Sequence, residues 1–494
     1  MPSNEYDVAV VGGGIGGMCT AALAESEGFS TVVLEQHHQV GGCAGFYHRN
    51  GFTFDVGATT LVDFHPEGIG GQLLDRLGFD PPPIDVQDAY QVWLPDRTVT
   101  LYHDQHRWRD ELRRTFGDDE THRRFYAFLE RTAAALWEVT RSDVRLPMQN
   151  VRDVLRNAKT VGLGDIRLVR YLRWTMKDAL VHFDVFDDVA LRTMIAMLVE
   201  DTVHSTLAEA PLLNAILGIS IRRAGIGRAT GGMYRFWKTF ERQYADMGGT
   251  VETSETVREI TGSKGAFRLA TDRGQYRSDQ VVSAVPIDLT KRIAPAVIGD
   301  RLDDETERLR EHTGGAAVVF LGVPEERVAD RKVTHHQVLR GYDDPLGDGN
   351  NMFVSVSAPE DTISAPAGHR AVILSTHCDL SPWQDLDEAM YRRKKNAIGN
   401  RLVDGARTVY PELGTDPLVY EVGTPKTYEE FTNRPNGAVG GYRQTVGNAN
   451  QNAVPQDIGI DGFYLAGDTT WPGLGTVACV KGSSIAAEHV VRTG

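Results

Sequence analysis

The chain carries a glycine-rich loop with the grammar of a phosphate-binding turn at each of its two ends, and any fold for it must use both. Near the start, "YDVAVVGGGIGG" runs from a short apolar strand, Val8–Val11, into Gly12, Gly14 and Gly17 in the order G-x-G-x-x-G. "MCTAALAESEG" follows with the small and apolar residues of a helix packed closely on a sheet, and "STVVLEQ" reads as a second strand ending at Glu35. Each part has a physical role. Gly12 makes the tight turn, Gly14 lets backbone approach a pyrophosphate, and Gly17 lets helix and strand touch. The helix N-terminus presents free N–H groups and the positive end of its dipole to phosphate. Glu35, eighteen residues beyond Gly17, is placed to accept hydrogen bonds from a ribose diol. A lone G-x-G-x-x-G says little; with a strand before it, a helix after it and an acid at this distance, it predicts a dinucleotide-binding unit.

The next residues favour FAD over NAD. "HHQVGGCAGFYHRNGFTFDVGATTL" places a second glycine pair, Gly41–Gly42, just after the ribose acid, then Phe52 and Phe54 alternating before Asp55 and Gly57. A nicotinamide domain would continue with plain βαβ repeats. This excursion reads as backbone passing close to a long flavin. "RAGIGRATGG" at 223–232 has the wrong glycine spacing for a second nucleotide loop, so no NAD(P)H domain is expected. The flavin must then pass electrons to another acceptor, such as a quinone or oxygen, or recycle them internally.

Composition narrows the partners. A chain of 494 residues suggests two or three domains, and a net charge of −15 argues against wrapping nucleic acid. The four cysteines, Cys19, Cys43, Cys378 and Cys479, lie far apart with no CxxC, and read as reduced thiols. The paired histidines His37–His38 and His335–His336 resemble metal ligands only superficially, because neighbours on a strand point to opposite faces; solvated loop positions and no metal are expected. "MPSNEYDV" lacks a signal-peptide pattern, and no apolar run reaches the roughly 18 residues of a spanning helix. A cytoplasmic protein, soluble or peripheral to a membrane, is expected.

"GGCAGFYHRNGFTFDVGATTL" resembles the carotenoid branch of the flavin amine oxidase-like superfamily, which contains phytoene desaturases and carotenoid isomerases. The amine oxidase branch usually has an arginine after the glycine pair where this chain has Cys43, which makes amine oxidation less expected. The resemblance implies an α/β fold: a Rossmann-type FAD-binding domain of the amine oxidase and GDP-dissociation-inhibitor type, with an interleaved α+β substrate domain and a helical lid. It also explains the second loop. In "GFYLAGDTTWPGLGTVACVKGSS" the strand Phe463–Ala466 would deliver Gly467 and Asp468 to the ribityl–phosphate region, and "TWPGLG", with Pro472 and Gly475, would run along the isoalloxazine ring. The helix opening at Thr476 and Val477 would point its N-terminus at the N1/C2=O edge, favouring the reduced anion. Ile15, Gly16, Gly57 and Ala58 join the cofactor contacts, and Val257 would lie near the adenine. The implied flavin domain is discontinuous, 1–75, 222–290 and 431–494, with a mostly helical region at 76–221 and an α+β substrate region at 291–430.

The same resemblance implies a long apolar polyene as substrate, held in an apolar tunnel and selected by shape. Desaturation, in which flavin N5 takes a hydride from an allylic carbon, is the leading expectation. A redox-neutral cis–trans isomerisation on reduced FAD is the alternative, followed by a shorter polyene such as a retinoid or carrier-bound acyl chain. A non-catalytic binding protein like the GDP-dissociation inhibitors also shares the fold, though it has no need of a complete "AGDTTWPGLGT" loop. Thr59, Thr60, Trp471, Pro472 and Thr476 would lie near the ring, and Phe431, Gly437, Gly440 and Gly441 near the tunnel mouth or flavin edge. No catalytic base is evident. Finally, "DIRLVRYLRWTMKDALV", residues 165–181, predicts one helix with Arg167, Arg170, Arg173 and Lys177 along a face, suited to an anionic membrane surface.

Overall fold

The computed structural model describes residues 4–160, 165–329 and 331–494. One sheet is built on parallel strands in the order Thr250–Thr253, Thr31–Glu35, Glu5–Val11 and Gln275–Ser283. Gln275–Ser283 uses its outer edge twice. Its first half pairs antiparallel with Phe267–Thr271, itself paired to Val257–Thr261, and its last half pairs parallel with Phe463–Leu465. The strands are apolar on both faces because both faces are covered. Val8, Val10, Val33 and Val282 pack under helices Ile15–Ser26, Gly232–Met247 and Thr476–Thr493. Ala9, Val11, Val32, Leu34 and Val281 pack on the opposite side with Ile260, Phe267 and Ile287.

The second sheet has seven strands in the order Val419–Gly423, Gly315–Pro324, His369–Cys378, Asn351–Val356, His335–Leu339, Ala89–Trp93 and Thr98–Tyr102. All neighbours are antiparallel except the parallel pair His335–Leu339 and Ala89–Trp93. Period-two alternation divides its faces. Ala317, Val319, Leu321 and Val323 pack against helix Glu388–Ala406, whereas Ala316, Val318 and Phe320 face a large cavity. A helical layer of Glu120–Arg141, Val189–Val203 and Leu212–Ser220 has its own apolar core, continuous with Tyr90 and Val92 of this sheet.

The segment 165–181 is not one helix. A 3₁₀ stretch, Asp165–Tyr171, is followed by a turn and then a separate α-helix, Met176–His182. Thr175 and Asp178 form a capping box that starts the second piece afresh, Thr175 Oγ1 accepting from Asp178 N and Asp178 Oδ2 accepting from Thr175 N. The broken backbone bonds outward, Met176 N to Ala210 O at 3.1 Å and Leu212 N to Trp174 O at 2.8 Å. Arg170, Arg173 and Lys177 are exposed, but so are Val169 and Leu172, so no clean polar and apolar split survives; the Arg167 side chain lies outside the described residues.

The two glycine loops meet at one contact. A Cβ on Gly16 would lie 2.7 Å from both Cα and N of Gly467, so the N-terminal helix approaches the C-terminal loop only because Gly16 has no side chain. Ser483 Oγ on the C-terminal helix donates to Gly16 O at 3.0 Å and closes the same junction. Gly14, two residues earlier, has nothing within 4 Å of a built Cβ. Gly16→Ala is therefore expected to cost about 1–3 kcal/mol through overpacking, and Gly14→Ala to stay within about 0.5 kcal/mol of the parent. Thermal and denaturant unfolding of the two variants checks this; equal losses would show that the loop contact is not tight in solution.

Candidate active site

A cavity of 1220 Å³ lies between the two sheets, and both glycine loops open into it. Gly12, Gly14, Ile15 and Gly16 line it from one side, and Gly467, Asp468, Gly475 and Thr476 from the other. Helices Ile15–Ser26 and Thr476–Thr493 start at Gly14 and Gly475, and neither has a side-chain cap. The first-turn N–H groups of two helices are thus left to a ligand in one cavity. Glu35, at the end of its strand, is buried there; its carboxylate accepts from Gly13 N at 2.6 Å and His37 N at 2.8 Å. Burial pushes its pKa up, while those backbone donors act to lower it. The Glu35 carbonyl accepts from Glu255 N at 2.8 Å, which brings Val257 to the same wall.

Gly41, Gly42, Gly57, Ala58, Thr59 and Thr60 also line the cavity. Of the cofactor-binding and ring-proximal residues expected from the sequence, Gly17, Trp471, Pro472 and Val477 do not. Gly17 is packed against the Gly12 carbonyl, 1.9 Å from a built Cβ, and Val477 is buried in the apolar core beneath the sheet helices. Trp471 and Pro472 are held by their own backbone: Gln456 donates to Trp471 O, and Gln444 Nε2 donates to Pro472 O at 3.1 Å. Of the segment before the last strand, Phe431 and Gly440 reach the cavity, whereas Gly437 and Gly441 are turn residues behind it.

Arg434 carries no recognisable motif, yet it lines the cavity beside the C-terminal glycine loop. Its Nη2 lies 2.9 Å from Asp468 Oδ2 and 3.0 Å from Oδ1, with both side chains largely buried. The same guanidinium stands beside Cys43. Burial pushes the Cys43 thiol up and Arg434 only partly offsets that, so the sulfur is protonated at neutral pH. A thiol in that state is a poor nucleophile.

The other half of the cavity is a slot over the second sheet. Its floor is Ala316, Val318, Phe320, Ile373 and Phe353, interrupted by Ser375, Ser355, His335 and His377; its roof includes Thr202, His204, Ile221, Arg222 and Ile226. The expected apolar tunnel is therefore corrected: the walls are mixed, because alternate strand positions put Ser355 and His335 on the same face as Ile373 and Phe320. His335 and His336 are not solvated loop residues either. They lie on a central strand and are buried, His335 bonded to Ser355 Oγ at 3.0 Å and His336 to Tyr410 Oη at 3.1 Å.

Near the C-terminal loop the slot holds a pair of imidazoles, His204 and His377, with ring centroids 4.5 Å apart. His204 caps helix Val189–Val203 in a left-handed conformation, and Gly440 makes room for it: a Cβ there would lie 2.2 Å from His204 Cε1. Burial, then His377 and Arg443, hold His204 well below the ordinary histidine range, so it is neutral. His377 Nδ1 is buried and has no hydrogen-bond partner among the described residues. Glu200, behind the pair, accepts from Asn351, and burial pushes its pKa up. No local sequence pattern announces this group, since its members come from a helix end and two strands.

Comparison with known proteins agrees with this architecture. A family model described as flavin containing amine oxidoreductase matches residues 15–491. Prolycopene isomerase, chloroplastic, of Daucus carota is 24% identical over 99% of this chain and 80% of its own length. The 4,4'-diapophytoene desaturase (4,4'-diapolycopene-forming) of Methylomonas sp is 22% identical over 99% and 96%. Among solved structures, putrescine oxidase bound to putrescine has a TM-score of 0.64 at 16% identity, covering 99% of this chain and 100% of its own. Cyclohexylamine oxidase from Brevibacterium oxydans IH-35A has 0.62 at 14%, with 99% of both chains covered. These two likenesses establish the fold.

The buried histidines predict acid sensitivity. Burial lowers His335 to about 3 and His336 to about 4, below an unfolded value of about 6.5. The unfolded chain then binds more protons below pH 6.5, so the stability these residues contribute is present above that pH and lost as pH falls toward the folded values. At pH 5 the loss is about 2 kcal/mol for each. Denaturant unfolding at pH 7.5 and 5.0 measures it, with a shallower loss expected for His336→Gln; a flat profile in the parent would show that both histidines protonate in place.

Proposed function

The chain belongs to the flavin containing amine oxidoreductase family and is an FAD-dependent enzyme, and from that premise we propose that it desaturates a long polyene of the carotenoid class. The observation that carries this reading is the joining, in one cavity, of a glycine-lined groove to a long slot whose floor sets Val318, Phe320, Phe353 and Ile373 among a few polar positions. The names of the carotenoid-acting relatives support it. Those named prolycopene isomerase also favour a second reading, redox-neutral cis–trans isomerisation on reduced flavin.

The residues present fit FAD. Two uncapped helix N-termini face the groove, Gly14 leaves open space where any side chain would stand, and a buried carboxylate waits at the end of the second strand. Gly12, Gly14, Ile15 and Gly16 would take the pyrophosphate and Glu35 a ribose diol. Val257 would flank the adenine. Gly41, Gly42, Gly57, Ala58, Gly467, Asp468, Gly475 and Thr476 would hold the rest, with Arg434 fixing Asp468. Bound flavin supplies a two-electron acceptor for desaturation, regenerated by a quinone or oxygen.

The chain's own task is the second proton. Removing two hydrogens from a CH–CH unit sends two electrons and one proton away as hydride, and leaves one proton for a base. His377, with Nδ1 unpartnered at the cavity wall, accepts that proton, and neutral His204 packs against it, its ring tilted by 54°. Incubating the yellow holoenzyme anaerobically with a panel of carotenes separates the readings. Longer-wavelength products formed only with oxidised FAD and a quinone identify desaturation; altered cis/trans ratios at constant mass formed only with reduced FAD identify isomerisation. His377→Gln is expected to retain flavin and slow desaturation by roughly 10²–10⁴-fold. Unchanged turnover would remove His377 from the chemistry.

Membrane contact is proposed through helix Val151–Thr160 rather than residues 165–181. Val151, Val154 and Leu155 share one helical face at spacings of three and one, and are 73%, 49% and 57% exposed. No helix among the described residues is long and apolar enough to cross a membrane. Flotation with anionic vesicles is expected to carry the parent protein, and the triple change to serine to weaken binding about tenfold or more; equal flotation would place the contact elsewhere.

A further inference from the structure

The slot contains a polar end that a pure hydrocarbon would leave unsatisfied. Arg222 and Tyr90 line the cavity and are only 8% and 6% exposed. Arg222 Nη2 donates to Asp201 Oδ2 at 2.5 Å, and the guanidinium lies over the Tyr90 ring, 4.2 Å from its centroid. Its Nε and Nη1 have no acceptor among the described residues, and the Tyr90 hydroxyl, beside the guanidinium but outside hydrogen-bonding geometry, has no partner either. Next to them stands a second buried polar group: His335 bonded to Ser355, Ser355 to Arg228 Nη1 at 3.1 Å, and Arg228 paired to Asp55 at 3.3 Å.

Buried donors of this kind are normally satisfied. An apolar chain filling the slot would exclude the water that could serve them and deepen the cost. Packing does not require Arg222 here, since Ile221 and Ile226 already supply apolar roof on either side of it. The charges are balanced, Arg222 by Asp201 and Arg228 by Asp55, so the cluster is not built simply to attract any anion. Arg228 Nε and Nη2 and Asp55 Oδ2 also have no hydrogen-bond partner among the described residues, but neither residue lines the cavity; at the cavity wall the cluster lacks an acceptor for two N–H groups of Arg222 and a partner for the Tyr90 phenol.

We propose that Arg222 and Tyr90 form a subsite for an oxygen acceptor at the end of the polyene, a carbonyl, carboxylate or hydroxyl, so that the substrate is an oxygenated polyene and not a hydrocarbon. This rests on the polyene reading and narrows it. The sheet provides the ruler. Tyr90 and His377 stand on strands three steps apart in the order His369–Cys378, Asn351–Val356, His335–Leu339, Ala89–Trp93. Tyr90 lies in the cross-strand row of His335, Ser355 and Ile373, four residues along from His377. At ordinary strand spacing and rise, the oxygen is held on the order of 15–20 Å from the proton acceptor. Arg222 would thus set which bond along the chain reaches the flavin.

The test is binding to the holoenzyme, followed by quenching of tryptophan fluorescence and by the polyene's own absorption. The probes are a conjugated C30 hydrocarbon and the same chain ending in hydroxyl, aldehyde or carboxylate. The parent protein is expected to bind at least one oxygenated chain 10-fold or more tightly than the hydrocarbon, and the end group with the largest gain identifies the oxygen. Arg222→Met is expected to reduce that preference to within threefold without weakening the hydrocarbon. Tyr90→Phe, which deletes only a hydroxyl, is expected to lose 3- to 10-fold on the oxygenated chain alone, and flavin retention reports that each variant is folded. Equal binding of all four chains, or a preference unchanged in both variants, overturns the subsite while leaving the polyene reading standing. Binding of none of the four overturns both.

Discussion

The contact between Gly16 and Gly467 is the constraint on which the rest of the structure hangs. It joins the first turn of the first helix to the loop after the last strand, through backbone that no side chain could separate without displacement. Strand Phe463–Leu465 reaches that position by pairing parallel with the end of Gln275–Ser283, whose other edge already holds Glu5–Val11. Three remote stretches of chain must therefore be in register for the cavity to exist. The loop that follows places Asp468 and Thr476 opposite Gly14, and two uncapped helix N-termini come to share one space. An anion bound there is stabilised by both dipoles at once, which neither loop could achieve alone.

The Arg434–Asp468 pair shows how a fold can move a charge between chain segments. The residue after the Gly41–Gly42 pair is Cys43, so no cation is supplied from that turn. A guanidinium reaches the same neighbourhood from the segment following helix Pro425–Thr432, close enough to offset part of the rise that burial imposes on the Cys43 thiol. Buried, it depends on Asp468 for its charge balance, and Asp468 depends on it in turn. Removing one partner would strand the other in a low-dielectric wall, a larger loss than the pair's own net contribution.

That both glycine loops line one cavity was legible because their signals are local. The run from Val8 to Glu35 contains a strand, a turn, a helix and an acid at a fixed spacing, and the same holds from Phe463 to Thr476. The substrate half was not legible, because its residues meet only through sheet register. His377, Ser355, His335 and Tyr90 come from four strands, and which face each occupies follows from pairings that no short window contains. The paired histidines at 335 and 336 read as loop residues because two polar side chains in a row look solvated. A central strand buries both by sending one to each face. The helix expected over 165–181 failed for a different reason: periodicity sees side chains, whereas the break is made by backbone groups bonding to the segment Leu207–Leu212 and by the Thr175 cap.

One helical turn couples the two halves of the slot. Glu200, Asp201 and Thr202 end helix Val189–Val203 and His204 caps it; successive residues lie about 100° apart around the axis, so neighbours on this turn reach different walls. Glu200 and His204 stand with His377, whereas Asp201 holds Arg222 over Tyr90. The turn is not free to shift. Helix Leu212–Ser220 packs so closely on it that a Cβ at Gly218 would lie 2.0 Å from Thr202 Oγ1. Val203 O accepts from Gln444 N at 3.0 Å, and Gln444 in turn holds Pro472 of the C-terminal loop. The polar end of the slot, the imidazole pair and the C-terminal glycine loop are thus fixed to a common element. A substrate oxygen seated on Arg222 would be located relative to the reacting bond by rigid backbone, and the apolar chain between them would only have to fit.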